Sequence, residues 1–160
     1  MVSVLSHIET DHLEMIHDAQ MDFYGTRVAT CSTDKTVKIY STSSGSGSPE
    51  ATLVGHEEPV WQVSWAHPSF GNIIASCSYD RKVFIWKEEK PTVWKKIHEY
   101  ARHESSVNST SWAPKDFGLV LAAGSSDGSI SILTCTGESL LHFLIPYARL
   151  QKETGRTKRF

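Results

Sequence analysis

The apolar positions of this chain fall into short runs instead of recurring at helical spacing. Between Gly55 and Trp86 three such runs, Val60–Trp65, Ile73–Ser78 and Val83–Trp86, are rich in β-branched and aromatic residues. Turn signals at His67-Pro68, Gly71-Asn72 and Tyr79-Asp80 separate them. The pattern predicts a meander of antiparallel strands.

The same pattern recurs on both sides of this stretch. Counted from His56, Val60 lies at +4, Val63 at +7, Trp65 at +9, Gly71 at +15 and Asp80 at +24. From His103 the same offsets give Val107, Thr110, Trp112, Gly118 and Asp127 without a gap. From His12 they give Ile16, Ala19 and Met21, then Gly25 and Asp34 after a two-residue deletion. Three copies spaced 44 and 47 residues apart match the roughly 40–45-residue period of propeller blades.

The predicted blade one has strands near Ile16–Met21, Arg27–Ser32 and Thr36–Tyr40. A flexible Gly/Ser linker, Ser41 to Pro49, leads to an outer strand at Ala51–Val54. Blade two covers 55–86 and closes with an outer strand near Val93–Ile97. Residues 103–135 supply three strands of blade three, and Ser139 to Ile145 is the candidate fourth. The expected organisation is thus a partial propeller over 1–145, with blades at about 8–54, 55–98 and 99–145, and a basic, disordered tail over 146–160.

These residues resemble the WD-repeat family. In that pattern a His before the first strand, a Ser or Thr on the second, an Asp in the following turn and a Trp on the third form a buried hydrogen-bonded set. The resemblance implies His56, Ser76, Asp80 and Trp86 in blade two, and His12, Thr30, Asp34 and Tyr40 in blade one. In blade three it implies His103 and Asp127, with Ala123 and Leu133 where the hydroxyl and the indole belong. That blade is expected to be the softest, each lost hydrogen bond being worth roughly 0.5–1.5 kcal/mol.

Linker and turn residues narrow the likeness. Met15 to Arg27, Gly55-His56-Glu57 with Pro59 to Val63, Ala66-His67-Pro68 and Ser76 to Val83 resemble the small propeller subunit of the COPII outer coat, shared with the nuclear-pore Y-complex. The likeness covers about residues 1–138. That family continues for about three more blades, whereas 139–160 hold no fourth repeat start, so the chain is expected to be a truncated or alternatively ended form. The resemblance implies α-solenoid coat and nuclear-pore subunits as partners, and subunits of a nutrient-sensing complex at the lysosome. The mode of binding it implies is strand or blade complementation.

Composition narrows the classes further. The chain has 160 residues, 39% hydrophobic and 21% charged, with a formal net charge of −2 that gives no reason to expect nucleic acid. No apolar run approaches 18 residues, and Met1 to Ser6 lacks the basic start and long apolar segment of a signal peptide. The expected locations are the cytoplasm, peripherally at endoplasmic reticulum exit sites and coated vesicles, the nuclear pore and the lysosomal surface. Membrane contact would come only through the coat.

Candidate chemistry is sparse. Cys31 and Cys77 both fall three residues before a repeat aspartate, a packing signature, and three cysteines without a CxxC predict reduced thiols and no zinc. His98-Glu99-Tyr100-Ala101-Arg102-His103 spaces its histidines five apart, which fails the i, i+4 requirement of a helical metalloprotease site. No catalytic, cofactor or metal residue is assigned. His56, Ser76 and Asp80 supply the residue types of a hydrolase triad, an enzyme reading kept against the scaffold reading; a ubiquitin-ligase or signalling adaptor is the competitor among binding proteins. Candidate partner contacts are Val2 and Val4, in a strand-like run beside the expected seam or a frayed terminus, and Trp61. Its even spacing from Val63 and Trp65 predicts one shared face, at the channel rim or in the core.

Overall fold

A computed structural model of the protein describes residues 3–4, 7–43 and 47–135. Within them the chain is all-β. The first sheet pairs β1 (Ile16–Met21), β2 (Arg27–Ser32), β3 (Thr36–Ser41) and β4 (Ala51–Val54) in chain order. The second pairs β5 (Val60–Trp65), β6 (Ile73–Ser78), β7 (Val83–Lys90) and β8 (Val93–Tyr100) likewise. The third contains β9 (Val107–Trp112), β10 (Val120–Ser125) and β11 (Ile130–Thr134) among the described residues. All pairings are antiparallel, giving consecutive blades of a partial propeller. Val2, the candidate strand 139–145 and the tail 146–160 lie outside the described residues.

Each second-to-third strand turn is built the same way. Asp34, Asp80 and Asp127 each accept, through Oδ1, the backbone N–H two residues on, at 3.0, 2.9 and 2.8 Å. The residue between has positive φ: Lys35 and Arg81 at 70°, Gly128 at 80°. An aspartate that closes an Asx turn on its own backbone explains why the acid recurs there. The first-to-second connections differ. Blades two and three use short 3-10 helices, Pro68–Phe70 and Lys115–Phe117, each ended by a glycine at φ 90° or 82°. Blade one, two residues shorter, closes on Asp22, which accepts the Thr26 and Arg27 N–H groups at 2.7 and 3.0 Å.

Every inner strand carries a β-bulge one residue after its start. The register shifts between Ile16 and Asp18, between Val60 and Gln62, and opposite Ser125, which pairs with Val107 while Gly124 pairs with Ser109. The extra residues are His17, Trp61 and Asn108. The bulge corrects the even-spacing expectation for Trp61. Val63 and Trp65 face blade one in a cluster with Ala29, Cys31, Val37 and Ile39, whereas Trp61 packs toward blade three against the cluster holding Val107 and Leu121. One inserted residue reverses side-chain parity.

Two apolar clusters fill the interblade layers, one between blades one and two and one between blades two and three. The third-to-outer hairpin of blade two is longer than expected. β7 runs on through Lys87 to Lys90, and β8 continues to Tyr100, whose hydroxyl shares a 2.7 Å hydrogen bond with buried Ser131 of blade three. That cross-blade bond rewards extension of the outer strand beyond Ile97.

Candidate functional site

The recurrent His and Asp residues converge inside each blade. In blade two, His56 Nδ1 lies 2.8 Å from Asp80 Oδ2 and His56 Nε2 lies 2.8 Å from Ser76 Oγ. The Trp86 indole donates to the same Ser76 oxygen at 2.9 Å. Since Ser76 Oγ receives the indole hydrogen, its own hydrogen is available to the imidazole, and the chain Trp–Ser–His–Asp closes with every group paired. Asp80 also accepts the Glu57 N–H at 3.1 Å, and Phe84 stacks on the imidazole at 4.0 Å between centroids. Burial alone would raise the Asp80 carboxyl, but hydrogen bonds from His56 and from the Glu57 and Lys82 N–H groups outweigh it. The net effect holds it below the ordinary carboxylate range.

Blade one makes a related set. His12 Nδ1 and Nε2 lie 2.7 Å from Asp34 Oδ2 and Thr30 Oγ1 respectively. Burial pushes the Asp34 carboxyl up, yet hydrogen bonds from the Thr36 hydroxyl, His12 and two backbone N–H groups bring it down to about 2. Tyr40 stays apart from Thr30: its hydroxyl donates to Asp11 Oδ1 at 2.7 Å, and Lys38 Nζ lies 3.0 Å from the same oxygen. Asp11 occupies the position of Gly55, where an added Cβ would meet the Trp86 ring at 3.2 Å and Phe84 at 3.3 Å. The residue before the histidine therefore tracks the size of the third-strand ring.

Blade three is incomplete. His103 Nδ1 lies 3.1 Å from Asp127 Oδ2, while Nε2 is buried without a partner. Ala123 and Leu133, both buried, offer it nothing. Asp127 is held well below the usual carboxylate range, chiefly by the Ser129 hydroxyl and the Glu104 and Ser129 N–H groups.

Trp61 is half-buried and donates its indole N–H to Ser106 Oγ at 2.9 Å, while its ring lies 4.5 Å from that of His17. It thereby touches all three blades. Val4 is exposed.

A second set of residues, absent from the expectations, fastens blade to blade. The side chain at +6 accepts the N–H at +7 of the next blade: Asp18 from Val63 at 3.3 Å, Gln62 from Thr110 at 2.6 Å. The indole at +9 donates to the carbonyl at +8 of the preceding blade: Trp65 to Gln20 and Trp112 to Ser64, both at 3.0 Å. The recurrence at +9 was visible in the sequence; its partner was not, because a backbone carbonyl has no sequence signature. At the lower edge Arg27 of blade one pairs with Glu88 of blade two at 3.0 Å and lies over the rings of Trp65 and Trp94.

This geometry is poor ground for chemistry. Ser76 is fully buried between an imidazole and an indole, so its Oγ has no approach for an acyl group. Among the described residues no group of three or more His, Cys, Asp or Glu side chains is arranged to hold a metal ion, and no helix is long and apolar enough to cross a membrane. Burial pushes the Cys31 and Cys77 thiols up, the latter to about 12, which leaves both inert.

Comparison with known proteins matches the WD domain, G-beta repeat family over residues 3–41, 47–87 and 94–132. A Protein SEC13 homolog of Drosophila melanogaster is 56% identical over 138 residues, 86% of this chain and 38% of the relative. Protein transport protein SEC13 of Mycosarcoma maydis is 63% identical over 83 residues, 51% of this chain and 23% of the relative. A Protein SEC13 homolog of Dictyostelium discoideum is 56% identical over 95 residues, 59% of this chain and 32% of the relative. Each match spans less than two-fifths of the relative's own length.

Proposed function

Because this chain belongs to the WD-domain family of G-beta repeats, we propose that it is a non-enzymatic scaffold of protein transport, acting in the COPII coat and the nuclear-pore scaffold. The observation that carries this reading is the 56–63% identity to proteins named for SEC13, one of them over 86% of the chain. A match over 138 residues runs through turns and linkers as well as strands, where fold alone imposes little. The full relatives are much longer, so the partners belong to the proposal too: an α-solenoid subunit whose strands add to the propeller beside blade one, in the neighbourhood of Val4. Support comes from the leading side of β1, where Ile16, Ala19 and Met21 are exposed while Val60 and Val63, the counterparts of Ile16 and Ala19 in blade two, are buried. The networks of His, Ser and Asp then serve as rivets that stiffen each wedge, consistent with a scaffold's need for rigidity. Location at endoplasmic reticulum exit sites, the nuclear pore and the lysosomal surface follows from those partners.

The test is affinity capture with the tagged full chain, followed by titration of the purified solenoid subunit against it. Recovery dominated by coat or pore solenoids with saturable direct binding is the expected result. Recovery dominated by ubiquitin-ligase subunits, with no binding to the purified solenoid, would replace this reading by the adaptor one.

A further inference from the structure

The connection between β3 and β4 is rich in hydroxyl groups, and those of its described residues are not equivalent. Ser41 and Ser43 share a 3.0 Å hydrogen bond between their Oγ atoms, and Thr42 Oγ1 donates to the Gly25 and Thr26 carbonyls, both at 3.0 Å. Ser48 is exposed, and among the described residues neither its hydroxyl nor its backbone N–H has a hydrogen-bond partner. Pro49 has no N–H to offer, and pairing with β3 resumes at Glu50, whose N–H donates to the Ile39 carbonyl at 2.7 Å. Ser48 thus stands just outside the ladder.

The sequence singles out the same residue. Of the six prolines, only Pro49 follows a serine or threonine. A residue before proline is steered toward extended backbone, and one outside a ladder can enter an enzyme cleft without breaking a strand pair. The neighbouring Gly47 lies so close to Glu9 that a Cβ on it would overlap the Glu9 carbonyl. The end of the connection therefore rests on the segment that leads to His12. Both Glu9 and Glu50 are exposed there. The basic side chains that meet this segment, His7 and Lys38, already face Glu9 and Asp11, each at 3.0 Å.

We propose that Ser48 is a phosphorylation site for a proline-directed protein kinase, and that the phosphate releases the connection from the segment around Glu9. In the transfer Ser48 Oγ bonds to the terminal phosphorus of ATP as the bond from that phosphorus to the bridging oxygen breaks. ADP leaves, and the hydroxyl proton passes to the kinase's catalytic carboxylate. The product carries about −1.5 to −2 charge at pH 7, and beside acidic side chains such a charge disrupts by repulsion. Here the acids are Glu50, two residues on, and Glu9, against whose backbone Gly47 is packed. The site is independent of which partner the protein serves.

The experiment treats the full chain with a purified mitogen-activated protein kinase and Mg-ATP, followed by intact mass and peptide mapping. One phosphate per chain, at Ser48, is the expected result, with incorporation lowered roughly tenfold or more in Ser48→Ala and in Pro49→Ala. Hydrogen exchange is then compared between the phosphorylated and untreated chains. Amides of residues 8–11 should exchange about threefold faster or more after phosphorylation, while those of β5 to β8 stay unchanged and report an intact fold. No phosphate at Ser48, or equal labelling of Pro49→Ala, overturns the assignment of the site. Full phosphorylation with unchanged or slower exchange over residues 8–11 overturns the release.

Discussion

Blades two and three carry the same imidazole and carboxylate at the same sites and differ in what lies behind the ring. Behind His56 stand Ser76 and the Trp86 indole, and each polar atom finds a partner. Behind His103 stand Ala123 and Leu133, and Nε2 is buried with none. Yet both blades keep the histidine, the aspartate and the turn they brace. The difference separates two jobs of the network. The His–Asp half ties the segment ahead of the first strand to the turn, where Asp80 and Asp127 also accept the N–H after the histidine, at 3.1 and 2.9 Å. The Ser–Trp half tethers the ring to the strands behind, and a blade can lose it by filling the space with aliphatic groups. A buried polar atom left unpaired costs about 1–3 kcal/mol, so blade three holds its histidine at a net loss relative to blade two.

The largest effect that would sharpen this comparison is removal of the ring itself. His56→Ala deletes two hydrogen bonds and the stack on Phe84 and strands Ser76 and Asp80, and should cost about 3–5 kcal/mol. His103→Ala deletes the contacts of Nδ1 alone, with Asp127 at 3.1 Å and Ser129 at 3.2 Å, together with an unpaired nitrogen, and should cost about 1–2 kcal/mol. Urea unfolding at one fixed protein concentration measures both. Equal losses would mean that the tether behind His56 contributes nothing and that the two blades are energetically alike.

A smaller effect tests why the ring and the residue before the histidine vary together. Gly55 leaves room for Trp86; a methyl there would press on the indole at 3.2 Å and on Phe84 at 3.3 Å. Gly55→Ala should therefore cost about 1–3 kcal/mol by overpacking. In blade three Arg102 holds the same place in the repeat, with Leu133 at the place of Trp86, and Arg102→Ala should change stability by less than about 0.5 kcal/mol. A Gly55→Ala chain as stable as the parent would show that the blade relaxes around the methyl, and the link between the two positions would be lost.

The rivets were legible in the sequence because each is set by local rules. An aspartate two residues after the second strand, followed by a residue able to take positive φ, closes its turn on its own backbone. The histidine at a constant offset ahead of it is brought back by the meander. Trp61 was misread because a bulge is a backbone event: nothing in the identity of Val60 to Trp65 announces the extra residue, and one residue suffices to turn a side chain from blade one toward blade three. Tyr40 stands at the indole position of the blade-one set, but its hydroxyl reaches Asp11. The bonds of Asp18, Gln62, Trp65 and Trp112 were hidden for a different reason, since each joins a side chain to the backbone of another blade. Periodicity marks such positions as equivalent without saying what they touch.

The smallest expected effect is also the most direct repair of blade three. Ala123 lies fully buried in β10, between Thr110 and Ser131 in the sheet, at the place of Ser76 and Thr30. Ala123→Ser places a hydroxyl where His103 Nε2 lacks a partner, and should raise stability by about 0.5–1.5 kcal/mol, read as a higher urea midpoint at unchanged slope. The gain stays below the full worth of the blade-two network because Leu133 donates nothing to the new oxygen. Supplying the indole by Leu133→Trp should not add to it while Arg102 remains, since in blade two a Cβ at Gly55 would already press on the ring at 3.2 Å. Only the triple change Arg102→Gly, Ala123→Ser and Leu133→Trp should bring blade three level with blade two. If Ala123→Ser leaves the midpoint unmoved or lowers it, His103 Nε2 is not short of a partner in solution, and the contrast between the two blades reduces to packing.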